Sequence, residues 1–209
     1  MADMLTLTPE QLFFLGTLMD AEYINYEYIA ALGELQRNYS RTRRKCLNEL
    51  AGAGIIRERL SGEISLRPAP KKLLRNLFFG KTETALEIFT LGKQATRTAF
   101  RFHWLEDAVT RVRVEKDRFV LTQSSAEEIE SLVLELVSGT EQPVPAAGIE
   151  KETVTRMITA KRATVGVGSA GIVLFEQPGG LYAIDDTGKP TGIPASQARS
   201  MILSELKGE

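Results

Sequence analysis

Gly166, Gly168 and Gly171 stand in a G-x-G-x-x-G run, the spacing that lets a backbone approach a pyrophosphate. That chemistry needs a strand before the glycines and a helix after them, because the helix N-terminus receives the negative charge. Here Gly171 leads into Ile172-Val173-Leu174-Phe175, a compact β-prone run that closes at Gln177-Pro178, so no helix opens there. The acid expected about twenty residues on falls at Asp185 or Asp186, in a turn before Gly188. The run reads as a strand entry, where glycine permits a left-handed φ or a close backbone approach.

The other reactive groups fare no better. His103, the single histidine, lies between Phe102 and Trp104 with no acid or nucleophile beside it, and reads as a structural or surface residue. Cys46, the single cysteine, excludes an internal disulfide and a cysteine-based zinc site. It sits on the apolar side of a helix. Arg43, Arg44 and Lys45 would lower its pKa if it were exposed, but its position favours packing. Asp185-Asp186-Thr187-Gly188 lacks the spaced oxygens of a calcium loop and reads as a turn. Glu127, Glu128 and Glu130 open a helix, where negative charge offsets the macrodipole, and read as a solvated face. No nucleophile–base pair, metal cluster or phosphate loop remains. The sequence therefore predicts no catalytic residue, no cofactor, no metal site and no enzyme.

The elements that position these residues begin at Thr8, an N-cap with Pro9 in the first turn and Gln11 placed to close a capping box. Leu12, Leu15, Leu18 and Met19 follow at helical spacing. A second helix is expected over Tyr26–Leu35. A third starts with Ser40 as its cap and stops at Gly52 or Gly54. It turns Cys46, Leu47, Leu50 and Ala51 inward, with Arg41, Arg44, Lys45 and Asn48 largely opposite. Ile55–Leu60 and Glu63–Leu66 alternate around Ser61-Gly62 as a hairpin. Pro68 and Pro70 end that hairpin, and a short helix over Lys71–Phe79 follows. Three helices and a hairpin give residues 1–80 a winged-helix-like layout.

Two α-βββ-α units are expected beyond it, 81–138 and 149–209, joined by a turn-rich linker over 138–148. The first has a helix at 82–92, strands at 97–105, 109–114 and 118–121, and a helix capped by Ser124 or Ser125. The second has a helix at 149–161, strands at 171–175 and 181–184, a turn and loop over Asp185–Pro190, and a helix over Pro194–Leu206. Leu132–Leu136 falls on Ile202–Leu206 in pattern, which reads as an internal repeat. The fold class is α+β: a winged-helix-like segment, then two repeated antiparallel β-meander plus helix units.

The formal net charge is −1, but Gln36–Arg75 holds eleven Lys/Arg against three Glu, so that stretch carries +8 and the rest about −9. One reading of this asymmetry is a regulator that binds double-stranded DNA. Tyr39, Arg41, Thr42, Arg44, Lys45 and Asn48 would face the major groove, and Arg57 and Arg59 would meet phosphates. The acidic remainder opposes that attraction, and winged helices also serve as protein-binding modules. No apolar run reaches the roughly 18 residues of a membrane helix. MADMLTLTPEQ lacks a basic region followed by an apolar core, so no signal peptide is expected. A cytoplasmic protein with no membrane partner is the simplest expectation.

The order of features also resembles the EspG-like family associated with type VII secretion. The resemblance is carried by LTPEQLFFLGTLM, SRTRRKCLNELAGAGIIRERLSGEISLRPAPKKLLRNLF and ETALEIFTLGKQATRTAFRFHWLEDAVTRVRVEKDRFVLT. The close, AGIVLFEQPGGLYAIDDTGKPTGIPASQARSMILSELKG, is similar to that family's strand, G-R-Y-like turn (here Gly180-Leu181-Tyr182) and T/I-P-A step (Ile193-Pro194-Ala195). The Arg of the turn is Leu181 in this chain. The resemblance implies two related α+β halves around antiparallel sheet and a non-enzymatic cytosolic chaperone or adaptor that holds a helical secreted protein. The DNA-binding regulator stands as the alternative.

Overall fold

The computed structural model describes residues 4–25, 28, 39–92, 94–115, 118–142, 149, 151–184 and 187–207. Its elements run β1 (Met4–Leu7), α1 (Pro9–Leu18), α2 (Tyr39–Gly52), β2 (Ile56–Glu58), β3 (Ile64–Leu66), α3 (Pro68–Phe79) and β4 (Thr82–Thr90). There follow β5 (Thr96–Leu105), β6 (Ala108–Val114), β7 (Phe119–Ser124) and α4 (Ala126–Leu136). Then come β8 (Arg156–Thr164), β9 (Gly168–Gln177), β10 (Gly180–Ile184), β11 (Pro190–Ile193) and α5 (Ala195–Lys207). The class is α+β, with nine strands in antiparallel sheet and β2–β3 as a separate hairpin.

The chain divides into two compact units, Met1–Lys81 with His103–Gln123, and Thr82–Phe102 with Ser124–Glu209. In the first unit, Thr8 caps α1 as expected: its hydroxyl accepts from the Gln11 amide, and the Gln11 side chain accepts from the Thr8 amide. Such a cap contributes about 1 kcal/mol. Gln11 also donates from Nε2 to Glu49 Oε2 at 2.9 Å, tying α1 to α2. The core gathers Leu12, Leu15, Leu50, Leu74, Phe78 and Leu121, all buried. The short strand β1 pairs with β7, Leu5 opposite Leu121, and alternates exposed Met4 and Thr6 with buried Leu5 and Leu7.

In the second unit the strand order is β4-β8-β9-β10-β11. Strands β4 and β8 pair along their whole length, Leu86 opposite Ala160. Ser125 closes a capping box with Glu128 at the start of α4. Helix α5 packs Ala195, Ala198, Ile202 and Leu206, all fully buried, against β8, β9 and β4.

Several expectations change. Residues 82–92 are not a helix but β4, and 149–161 are not a helix but a 3-10 turn at Lys151–Thr153 followed by β8. Five consecutive residues of β4, Thr84 to Ile88, are buried, as are Ile158, Thr159 and Ala160 of β8. A strand covered on both faces loses its alternation, and a short buried run then looks like a helix. The two stretches expected as α-βββ-α thus run as four strands followed by one helix. The hairpin stops at Leu66, just before Pro68 as expected, but the next helix starts earlier than Lys71: Pro68 opens α3 at its first position, where the missing N–H costs nothing. Ser40 lies inside α2, which includes Tyr39. Strands β1 and β11 were not expected; each is four residues long and takes its definition from the strand beside it. The helix expected over Tyr26–Leu35 lies, apart from Tyr28, outside the described residues.

Candidate functional site

The basic segment folds into α2 and the β2–β3 hairpin. Tyr39 opens α2; Arg41, Arg44, Lys45 and Asn48 are exposed along it and Thr42 is half-buried. Arg57 and Arg59 are exposed on the hairpin. Arg41, Arg44, Lys45 and Asn48 line one open depression of about 1260 Å³ with Arg43, Leu47, Glu49 and Glu58; Thr42, Arg57 and Arg59 are not among its lining residues. Two cations are locally compensated: Lys45 lies 3.8 Å from Glu49 and Arg59 lies 2.9 Å from Glu63, both exposed pairs of small energetic weight. Among the described residues, Arg41, Arg43 and Arg44 have no carboxylate partner.

The groups with chemical potential have structural surroundings. His103 is buried in the first unit, its Nε2 2.7 Å from the Tyr28 hydroxyl, and the Tyr28 ring packs 4.8 Å from that of Phe119. Gly166 sits in the β8–β9 turn at φ 78°, and Gly168 follows at φ 120°, so a left-handed backbone accounts for those two glycines. Gly171 lies inside β9, where a Cβ would meet the Ala160 carbonyl oxygen at 2.8 Å. Glu128 is spent in a cap, Glu130 pairs with Lys207, and a hydrogen bond from the Ser125 hydroxyl holds the Glu127 carboxyl below its ordinary range. Asp185 and Asp186 lie outside the described residues. Among the described residues no three His, Cys, Asp or Glu gather to hold a metal, and no helix is long and apolar enough to cross a membrane.

Cys46 is buried in α2, and burial pushes its thiol from 9.0 up to about 11, with Glu49 and Glu10 adding to the rise and Lys45 opposing it. The arginines beside it in sequence therefore do not activate it. Two results are expected. Iodoacetamide at pH 8 should label the folded chain far more slowly than the urea-unfolded chain, because little thiolate is present and access is closed. The thiol's contribution to stability, present below pH 9, should be lost as pH rises from 9.0 towards about 11. Mass-spectrometric labelling rates and urea titrations across that window check both.

The second unit holds the surface that sequence reasoning missed. Strand register puts Leu86, Ile158, Ala160 and Leu174 on the face against α5, and all four are fully buried. Arg156 on the same face donates to the Leu136 carbonyl at the end of α4, so both helices lie on this side. The opposite face carries the row Phe89–Met157–Phe175–Tyr182, then Glu87–Thr159–Val173, then Ala85–Lys161–Gly171. Tyr182, Glu87, Thr159 and Ala85 are buried and Phe89, Met157 and Phe175 half-buried, whereas Val173, Lys161, Ala163 and Ser169 are exposed, so this face is open along β9 and the later half of β8. Val165 and Val167 project from the hairpin tip beyond it, Val167 83% exposed. At the other flank Arg101 meets Glu87 at 2.8 Å and Glu83 at 3.9 Å, while Arg97 reaches Glu87 at 3.0 Å and lies over the Phe89 ring. Among the described residues of this unit no helix packs on that face. The signal that could have found it is the alternation Met157, Thr159, Lys161, Ala163 against Ile158, Ala160, Arg162, hidden because 149–161 read as a helix.

A sheet helix-covered on one side and partly apolar on the other suits a protein that binds another protein. The chain has an EspG-like fold. It is similar to the solved structure of the type VII secretion system chaperone EspG5 of Mycobacterium tuberculosis in complex with the PE25–PPE41 dimer, with a TM-score of 0.62. The match covers 97% of this chain and 96% of that chain at 8% identity. No family model and no curated protein matches the sequence. At that identity the likeness speaks to the fold. It lends the DNA-binding alternative no support.

Proposed function

We propose that this chain is a non-enzymatic cytosolic chaperone or adaptor that holds a helical secreted protein, as a component of a type VII secretion route. The observation that carries this reading is the EspG-like fold over nearly all of both chains, seen in a chaperone solved in complex with the PE25–PPE41 dimer. The open part of the second unit's sheet face is the docking surface: Met157, Phe175 and Val173 offer apolar contact, and Arg97, 46% exposed, offers polar contact at one flank with the half-buried Glu83 nearby. An amphipathic helix laid on such a face buries its apolar stripe there. The role needs no reacting group, which agrees with the structural surroundings of His103 and Cys46.

The test is co-purification of the tagged chain from its native cytosol, with mass-spectrometric identification of bound protein, beside the Val173→Arg variant. Val173 is exposed, so the variant keeps the fold while placing a charge in the apolar patch. The expected result is a helical secreted protein with the wild type and at least tenfold less with the variant. Recovery of a defined duplex DNA without a helical protein would overturn the proposal. So would a helical protein captured equally by both forms, since the face would then play no part.

A further inference from the structure

The first unit has a surface that none of these readings uses. The end of α1, strand β3, helix α3 and Leu105 enclose a groove of about 890 Å³. Its floor is Leu18, Met19, Ile64, Leu66, Phe79 and Leu105, each half-buried. The first five pack on the unit's core, so the core reaches the surface here. One wall carries Lys71 and Arg75, a helical turn apart on α3, and Lys81 beyond them. Asp20 and Glu22 stand in the segment after α1. All five charged residues are exposed, and among the described residues none has an ion-pair partner.

The groove is built in advance. The Phe78 carbonyl accepts from the amides of Glu22 at 3.2 Å and Tyr23 at 3.1 Å, which binds the segment after α1 to the end of α3. The Ala21 amide donates to the Gly16 carbonyl at 2.9 Å, and Asp20 turns the chain with φ 52°, a conformation that aspartate tolerates. Ile24 and Phe78 pack so close to Gly16 that a Cβ there would meet Ile24 Cδ1 at 2.8 Å.

We propose that this groove docks an amphipathic helix of a protein partner. Its apolar stripe lies on the leucine-rich floor, its acidic flank faces Lys71, Arg75 and Lys81, and its basic flank faces Asp20 and Glu22. The helix-in-groove mode places anchors at i, i+3 or i+4, and i+7, side chains that the apolar floor of Leu18, Met19, Ile64, Leu66, Phe79 and Leu105 can receive. The two signs of charge decide the occupant. A fatty acid would gain from the cations but set its carboxylate near Asp20 and Glu22 as well. Nucleic acid has no use for the apolar floor and is repelled by the same two acids. A helix with opposite charges on its two flanks satisfies both, and complementarity of that kind sets register and discriminates among partners. The inference is independent of the role given to the second unit.

The probe is a fluorescent synthetic peptide of about 16 residues, long enough to hold a helix once docked. It has leucines at i, i+3, i+4 and i+7, glutamates along one flank and lysines along the other. Anisotropy titration of the full chain should show saturable binding, with NMR methyl shifts at Leu18, Ile64 and Leu66. The exposed double variant Lys71→Glu, Arg75→Glu, its fold checked by an unchanged urea midpoint, should bind the peptide at least tenfold more weakly. It should instead prefer a second peptide with lysines on both flanks. Absence of saturable binding overturns the proposal, as does binding indifferent to the charge reversal. Two other outcomes also overturn it: sodium laurate shifting the same methyls where the peptide does not, and a concentration-dependent dimer that closes the groove.

Discussion

Replacing Gly80 with alanine is expected to cost about 3 kcal/mol of folding stability, the upper end of overpacking penalties. Gly80 ends α3 at φ −70°, ψ 124°, a conformation any residue adopts, so backbone strain is not the reason. The reason is space. An added Cβ would lie 2.5 Å from the Asn76 carbonyl oxygen, 2.5 Å from the Trp104 carbonyl oxygen and 3.2 Å from the Trp104 carbonyl carbon. These are main-chain atoms of a helix and of β5, and no rotamer change relieves them. The Gly80 amide also donates to Asn76 at 3.0 Å, so any shift breaks the helix end. Gly52→Ala is the control: nothing lies within 4 Å of its added methyl, and alanine favours the helix, so stability should rise by about 0.5 kcal/mol. Urea midpoints at unchanged m-value measure both. Equal effects at the two glycines would show that the close approach at Gly80 does not exist.

Glu87→Ala should cost a similar amount, about 3 kcal/mol, for a different reason. Arg101 is 7% exposed at its side chain, and its short ion pair is with Glu87, whose side chain is 10% exposed. Removing the acid takes the 2.8 Å partner from a buried guanidinium, with Glu83 standing farther off at 3.9 Å. Losing one member of a buried pair costs far more than the pair itself contributes, because the remaining charge keeps its desolvation penalty. Arg97→Ala is the contrast: its side chain is 46% exposed, and its loss should cost under about 1 kcal/mol. The double substitution Glu87→Leu with Arg101→Met should recover most of the loss by replacing both charges with apolar volume. A double variant as unstable as Glu87→Ala alone would mean that the cluster is held by something other than charge pairing.

Sequence and structure agree where the determining interaction is short-ranged. Thr8 with Gln11 and Ser125 with Glu128 close capping boxes within three residues, and both helix starts were legible for that reason. The turn at Ser61-Gly62 was legible because Gly62, at φ 80°, supplies a conformation that few other residues supply. Strand β9 was placed because Gly171 is followed by β-prone residues and no cap. The misreadings share one cause. Strand β4 is defined by β8, seventy-odd residues away, and the central residues of both are buried on two faces, so the period is lost there and survives only towards the end of β8. The Ala, Leu and Glu of β4 and the Ala, Met, Lys and Arg of β8 then favour helix by propensity, and tertiary pairing overrides it.

The candidate site divides in the same way. The basic run from Arg41 to Arg59 is plain in the composition, but whether it forms one surface depended on packing, which left Arg57 and Arg59 outside the depression lined by α2. The open sheet face and the first unit's groove had no sequence signature. Each is made of residues whose neighbours are remote in the chain, as Met157 is from Phe89 and Leu105 is from Leu18.

By itself, then, the amino-acid order determined the caps, the hairpin turn, the uneven charge and the lack of a local catalytic pattern. Each of these follows from groups a few bonds apart or from simple counts. Only the tertiary structure decided which buried runs are strands, which face of the second unit's sheet stays open, and where the first unit's core reaches solvent. Those outcomes depend on which surfaces meet after distant segments pair, and burial energy scales with the area that meets rather than with any neighbour in sequence.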